Sequence, residues 1–399
     1  MDTITHGIAG ALIGKAGFRG DDLFALRPMN RQRIISWALM LGAIFPDSDV
    51  FRDLFSKNQL LILTWHRSIT HSLVCLPIWA LILAAISLAI ARWRKWDSPS
   101  FAALSGIYAV GILSHIVLDL VTSFGTMIWS PLRWSRPAWD LIFIIDLTLT
   151  VIFLLPQFIA WAYSTPEKRR RRTLGLCLVF LPLPMLFYAI LQNVGAPISA
   201  STVLATTLLL AALILSPGIR GWGFRMPAAF WNRAGFLAAC AYILAAVYAH
   251  HAAFRRVQQF AAFEHLEPEA VGALPLPPSI WRWDGLVRTS RGVFELRVDL
   301  ADKSPLGATA SDSDTLEYHY FPDAHTNAYV EQARRLPEVQ KVLWFARFPV
   351  TRFRQDGSQA IVEFLDLRFP QRRGRPAPFT YRVVFGPSGQ VVSQGWLRD

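Results

Sequence analysis

The feature that most constrains this chain is a series of apolar runs in its first 250 positions. Each is about 20 residues long, the length at which a helix crosses a bilayer core. The last 150 residues hold no such run. The pattern predicts helices over 3–17, 33–46, 72–92, 101–121, 140–163, 173–192, 198–216 and 230–250. The first two are short for a full crossing. Composition agrees, at 53% apolar and 17% charged residues. The expected fold is a polytopic α-helical membrane protein with about six to eight membrane helices, the first two short, followed by a soluble α+β domain.

A net charge of +12 raises nucleic acid as a partner, but the position of the charge argues against it. Basic residues gather in the links between runs: Arg27, Arg31 and Arg33; Arg92, Arg94 and Lys95; Lys168 to Arg172; Arg220 and Arg225. Such links stay in the cytoplasm under the positive-inside rule. That rule sends the 47–71 loop, the 121–139 loop and everything after about 250 to the opposite, outer side. Cys75, Cys177 and Cys240 all lie in the apolar runs, so neither a disulfide framework nor a thiolate metal site is expected. The N-terminal apolar stretch is short, carries His6 and lacks a basic start, so no cleavable signal peptide is expected.

The tail reads as strands over 281–287, 292–300, 314–321, 360–369 and 381–385, with a helix near 326–336. Asp356-Gly357 and Pro387-Ser388-Gly389 supply turns. The LPLPP stretch at 274–278 reads as a stiff link out of the last span.

Ionisable residues within or beside membrane segments are costly, and they mark function by default. Here they are His6, Asp47, Asp49, His66, His71, His115, Asp119, Asp140 and Asp146. The topology above sends all of them toward the outer side. His115 and Asp119 are spaced i and i+4, so they share one helix face. Asp47 and Asp49 follow a helix-ending proline in FPDSDV. A turn there can aim both carboxylates one way, whereas in a continuing helix they diverge by about 200°. Histidine and aspartate without cysteine suit zinc, manganese or iron. Each piece also has a plain reading. His115 with Asp119 fits a buried hydrogen-bonded pair, PDSD a helix end, His71 a polar cap and Asp140 an acid at a helix start.

Five motifs occur in order: THGIAGALIG (5–14), GAIFPDSDV (42–50), HRSITHS (66–72), LSHIVLDLVTSFGT (113–126) and WDLIFIID (139–146). Together they resemble the YdjM-type, LexA-regulated inner-membrane metal-dependent hydrolases. The resemblance covers about residues 1–165 and implies a membrane-embedded hydrolase domain there. Residues 166–250 then add further spans, 251–280 link, and 281–399 form the outer α+β domain. The motif order also resembles that of the zinc-dependent phospholipase C superfamily. That likeness implies as metal ligands His6, Asp47 or Asp49, His66 or His71, and then His115 and Asp119; His6, Asp47, His66, His115 and Asp119 are the first choice, with Asp49 bridging and His71 a further ligand or an outer partner. The later histidines and glutamate of that superfamily are missing here, and so is its N-terminal tryptophan, so one or two ions are expected rather than three.

The resulting expectation is a hydrolase that uses a divalent metal, zinc or manganese, to cleave a phosphodiester or related ester of a lipid-like substrate. Asp49, His71 and Asp146 are the expected catalytic or ligand-orienting residues. Arg67, Arg133 and Arg136 are expected to hold an anionic headgroup, and membrane lipid is the expected partner. Two other readings use the same residues. One is an ion- or proton-coupled transporter with an Asp/His relay. The other is a non-catalytic membrane protein with a structural metal.

Overall fold

A computed structural model describes residues 1–17, 28–55, 60–193, 198–277, 280–301, 318–324, 327–369 and 378–397. The helices are α1 (Thr3–Gly17), α2 (Pro28–Ile44), α3 (Val50–Phe55), α4 (Leu61–Thr64), α5 (Leu76–Arg94), α6 (Phe101–Leu120), α7 (Leu147–Ala162), α8 (Arg169–Phe180), α9 (Leu183–Asn193), α10 (Ala200–Leu215), α11 (Ala228–Phe263), α12 (Ala328–Arg334) and α13 (Pro337–Phe345). Six helical segments among the described residues are long and apolar enough to cross a membrane. The expected shortness of the first two elements holds only for α1, with 15 residues. α2 runs on through a 3₁₀ turn, Phe45–Asp49, so the apolar segment Gln32–Arg52 has 21 residues. Arg27 of the first basic link lies outside the described residues.

The chain divides into two compact units. The first comprises Met1–Pro46, Leu73–Leu118 and Ile145–Leu244. Its helices meet through small residues, which let backbones approach where no water drives them together. A Cβ at Gly10 on α1 would lie 2.7 Å from the Leu39 carbonyl oxygen of α2. A Cβ at Gly111 on α6 would lie 2.8 Å from that same oxygen and 3.0 Å from Gly42 Cα. Polar contacts lock α1 to α7: Thr5 Oγ1 lies 2.8 Å from Thr150 Oγ1, and Gln157 donates to the Ile8 carbonyl.

The stretch 140–146 was expected to open a span. It is not helical, and α7 begins only at Leu147. Asp146 is the N-cap of α7, accepting from Leu149 N at 2.9 Å, and its other oxygen accepts from Tyr242 Oη at 2.8 Å. Asp146 therefore anchors helices rather than orienting a histidine. Replacing it with Ala is expected to cost about 1–2 kcal/mol of stability and to leave metal content unchanged. Thermal unfolding in detergent with metal analysis checks this, and loss of metal would return Asp146 to the site.

The second unit comprises Asp47–Ser72, Asp119–Ile144 and Ala245–Asp399. It holds two antiparallel four-stranded sheets, each in sequential order. The first contains β1 (Ala270–Leu276), β2 (Arg282–Thr289), β3 (Gly292–Asp299) and β4 (Tyr318–Pro322). The second contains β5 (Pro349–Asp356), β6 (Gln359–Asp366), β7 (Tyr381–Phe385) and β8 (Val391–Trp396). Leu274, Leu286 and Val293 of the first sheet pack with Val350 and Leu365 of the second in one core. The C-terminal end of α11 lies on the first sheet, with Val257 and Phe260 against Trp283 and Leu296.

LPLPP is therefore no simple link: its first three residues end β1, because Leu274 has a core to enter. Pro275 sits on an edge strand, where a missing N–H costs least. Of the strand expected at 314–321, residues 314–317 lie outside the described residues and the rest fall in β4.

Candidate metal centre

Three short segments and one helix converge in HRSITHS and its neighbours. Pro46 ends α2, and the chain tightens into the 3₁₀ turn that carries Asp47 and Asp49. The second histidine motif forms another 3₁₀ turn, Ile69–His71, capped by Ser68, whose hydroxyl accepts from Ile69 N. Between them Arg67 takes a left-handed backbone (φ 61°), unusual for a residue with a side chain. Its N–H donates to Asp49 Oδ2 at 2.9 Å, and its guanidinium Nε lies 2.9 Å from Asp119 Oδ2. That twist separates the two histidines: His71 turns inward and is fully buried, while His66 stays 19% exposed.

Asp47, His71, His115 and Asp119 each offer a ligand atom, and the four atoms lie within 4.8 Å of one another. Donors on a tetrahedral zinc ion at about 2.0–2.2 Å are about 3.3–3.6 Å apart, so the set draws in by up to about an ångström to close on one ion. His71 Nε2 lies 3.3 Å from Asp119 Oδ2 and 3.6 Å from Asp47 Oδ1. Charge-assisted hydrogen bonds are shorter, about 2.7–2.9 Å. Ligand atoms at neighbouring corners of a zinc tetrahedron are about 3.3 Å apart. The spacing thus suits co-ligands better than an imidazolium between carboxylates.

Both imidazoles are also oriented for the task. His115 Nδ1 lies 2.6 Å from the Ala43 carbonyl oxygen, which can only accept, so Nδ1 carries the proton and Nε2 keeps its lone pair. His71 Nδ1 lies 3.0 Å from Thr70 Oγ1 and 3.5 Å from Asp49 Oδ2. Such outer partners are the usual way to fix a metal-binding histidine. The residues present therefore fit a divalent ion held by nitrogen and oxygen.

The remaining expected site residues fall around this set. His6 is buried and stacks on His115, with ring centroids 3.6 Å apart. It positions that ring and is not one of the four. Asp49 and His66 were expected as ligands. They pair with each other, His66 Nδ1 to Asp49 Oδ1 at 3.1 Å, and the His66 ring meets His71 edge-on with centroids 6.0 Å apart. Of the alternatives His66 and His71, the set of four holds His71. Asp140 meets Arg347 through two hydrogen bonds, at 2.9 and 2.8 Å.

Two of the three arginines expected to hold a headgroup have other work. Arg67 is 2% exposed and holds Asp119. Arg136 donates to the carbonyls of Leu63, His66 and Gly125. Burial, and then the Arg67 and Arg368 guanidinia, push Arg136 down to about 9, while Asp119 and Asp49 pull it back. Arg133 alone of the three is exposed. Sequence reasoning gave no role to the Ala43 carbonyl or Thr70, although both lie within the motifs, nor to Arg347 and Arg368, which lie outside them.

The model of the YdjM inner membrane protein family matches residues 1–196. Over these residues the chain is similar to that family. The match reaches beyond the 165 residues on which the motif resemblance rests, and it contains all four candidate ligands. The match to an inner membrane protein family and the six candidate spans support a multi-pass inner-membrane protein. Both sheets lie outside the YdjM match. No curated protein and no solved structure matches the chain.

Proposed function

We propose that the chain is a membrane-bound metal-dependent hydrolase that cleaves a phosphodiester or related ester of a lipid-like substrate at the outer face of the membrane. One observation carries this reading: a buried set of two carboxylates and two oriented imidazoles that opens to solvent along one edge. His71, His115 and Asp119 have no exposed side-chain surface. Asp47 is 9% exposed, Asp49 11% and His66 19%. A zinc or manganese ion held there supplies Lewis acidity, activating water and polarising a phosphoryl or acyl oxygen.

The chain's own residues do the rest. Asp49 accepts from His66 Nδ1, which leaves His66 Nε2 to take a proton from a nucleophile at the open edge. Arg67 holds Asp119 in place and keeps its charge beside the donors. The exposed Trp129, Trp134 and Trp139 suit the headgroup layer, and Arg133 suits an anionic group there. Sidedness rests on the basic clusters at the end of α5, at the start of α8 and before α11, which the positive-inside rule assigns to the cytoplasm.

The test compares the purified chain with His66→Ala, loaded with zinc or manganese. Substrates are bis(p-nitrophenyl) phosphate and phosphatidylglycerol in mixed micelles. The expected result is hydrolysis by the unsubstituted chain and a loss of about 10²–10⁴-fold in the variant, with metal content retained. Unchanged turnover in His66→Ala removes it as the base. Bound metal without turnover on any ester favours a second reading, a structural metal. That reading has its own support, since four protein donors complete a tetrahedron.

A further inference from the structure

The loops that bring Asp47, His71 and Asp119 together do not pack by themselves. Their apolar residues enter the core of the C-terminal domain. Leu60, Leu63 and Phe124 belong to one buried cluster with Val339, Phe345 and Val362. Phe124 lies five residues after Asp119, and its ring centroid is 5.3 Å from Phe345 and 6.2 Å from both Phe369 and Phe379.

Three arginines fasten this contact. Arg368 is 6% exposed; it donates to the Ser123 carbonyl at 3.1 Å and the Phe345 carbonyl at 2.6 Å, and pairs with Asp366 at 2.6 Å. Arg347 grips Asp140 with both guanidinium nitrogens. Asp140 itself sits at φ 55°, in the left-handed region that aspartate enters more readily than most residues. Arg136 lies over Phe124 and Phe345, at 5.0 and 5.3 Å, and reaches back to the His66 carbonyl at 2.9 Å. The histidine loop and the loop after Asp119 are thereby joined to each other and to the domain.

We propose that the C-terminal domain sets the metal affinity of the cluster, with Arg347 and Arg368 as positioning residues that hold the ligand loops in register. This rests on the metal reading above. Both act on the loop that follows Asp119, Arg368 through the Ser123 carbonyl and Arg347 through the Asp140 carboxylate. Partners of ligand-bearing groups of this kind change metal affinity by about 10–100-fold when removed.

The experiment uses the full chain in detergent and measures zinc affinity by chelator competition and the visible spectrum of the cobalt(II) form. Arg347→Ala, Arg368→Ala and their combination are compared with Arg382→Ala. Arg382 pairs with Glu363 within the second sheet, at 2.8 Å, and serves as a control for general damage to the domain. The expected result is zinc binding about 10–100-fold weaker in the Arg347 and Arg368 variants, with altered cobalt bands, near-normal values for Arg382→Ala, and partial recovery in Arg347→Lys. Arg347 is 34% exposed on its side chain, so Arg347→Ala remains informative if the combined variant fails to fold. Affinity and spectrum unchanged in Arg347→Ala and Arg368→Ala overturn the proposal while the metal reading stands. Absence of zinc on the unsubstituted chain overturns both.

Discussion

Replacing Asp119 with Ala is expected to abolish metal binding and to destabilise the chain by about 3–5 kcal/mol, the usual result of breaking one side of a buried ion pair. Asp119 has no exposed surface, and Arg67 Nε lies 2.9 Å from its carboxylate. Without that carboxylate the Arg67 guanidinium keeps Thr122 Oγ1 at 3.0 Å but loses its charge partner in a buried setting. The two effects separate in a second variant. Asp119→Leu combined with Arg67→Met removes both charges, so much of the stability is expected to return while the metal does not. Thermal unfolding in detergent and metal analysis on the same samples read both quantities. A stable Asp119→Ala variant that keeps its metal contradicts the account.

Gly111→Leu is expected to be nearly as damaging, although Gly111 binds nothing. A Cβ there would meet the Leu39 carbonyl at 2.8 Å, a backbone atom that cannot swing aside. Overpacking of this kind costs about 1–3 kcal/mol. It also forces α6 away from α2, one turn before His115, whose Nδ1 relies on the Ala43 carbonyl of α2 at 2.6 Å. Loss of metal is therefore expected along with loss of stability. Gly106, on the same helix, has nothing within 4 Å of where its Cβ would lie, so Gly106→Leu is the matched control and is expected to behave like the unsubstituted chain. Equal behaviour of the two variants in unfolding and metal assays would contradict close α2–α6 packing as the support of His115.

Much of the membrane part was legible because hydrophobic length is a coarse signal. α1 and α6 fall within a residue of the expected ranges, since their apolar runs have clear ends. The start of α7 was misread because WDLIFII is as apolar as a span, while its true boundary depends on one side chain, Asp146, capping Leu149 N. In the tail, β1 was hidden by its prolines and by a core it shares with residues far along the chain. The site shows the same division. The i, i+4 spacing of His115 and Asp119 is a property of any helix and was readable. The choice of His71 over His66 depends on a left-handed Arg67, held by Asp49 and Asp119 from distant segments, and no local pattern announces it. The sequence suggests Arg136 and Arg67 as headgroup-binding cations, and only the packed structure shows the carbonyls and carboxylate they serve.

The most direct test of the central claim is the metal stoichiometry and ligand set of the purified full chain, by elemental analysis and X-ray absorption after incubation with zinc or manganese. The account predicts at least one tightly held ion with nitrogen and oxygen neighbours and no sulfur, lost in a His115→Ala/Asp119→Asn variant that still folds. A chain that takes up no metal, or one whose variant binds as well as the original, contradicts it.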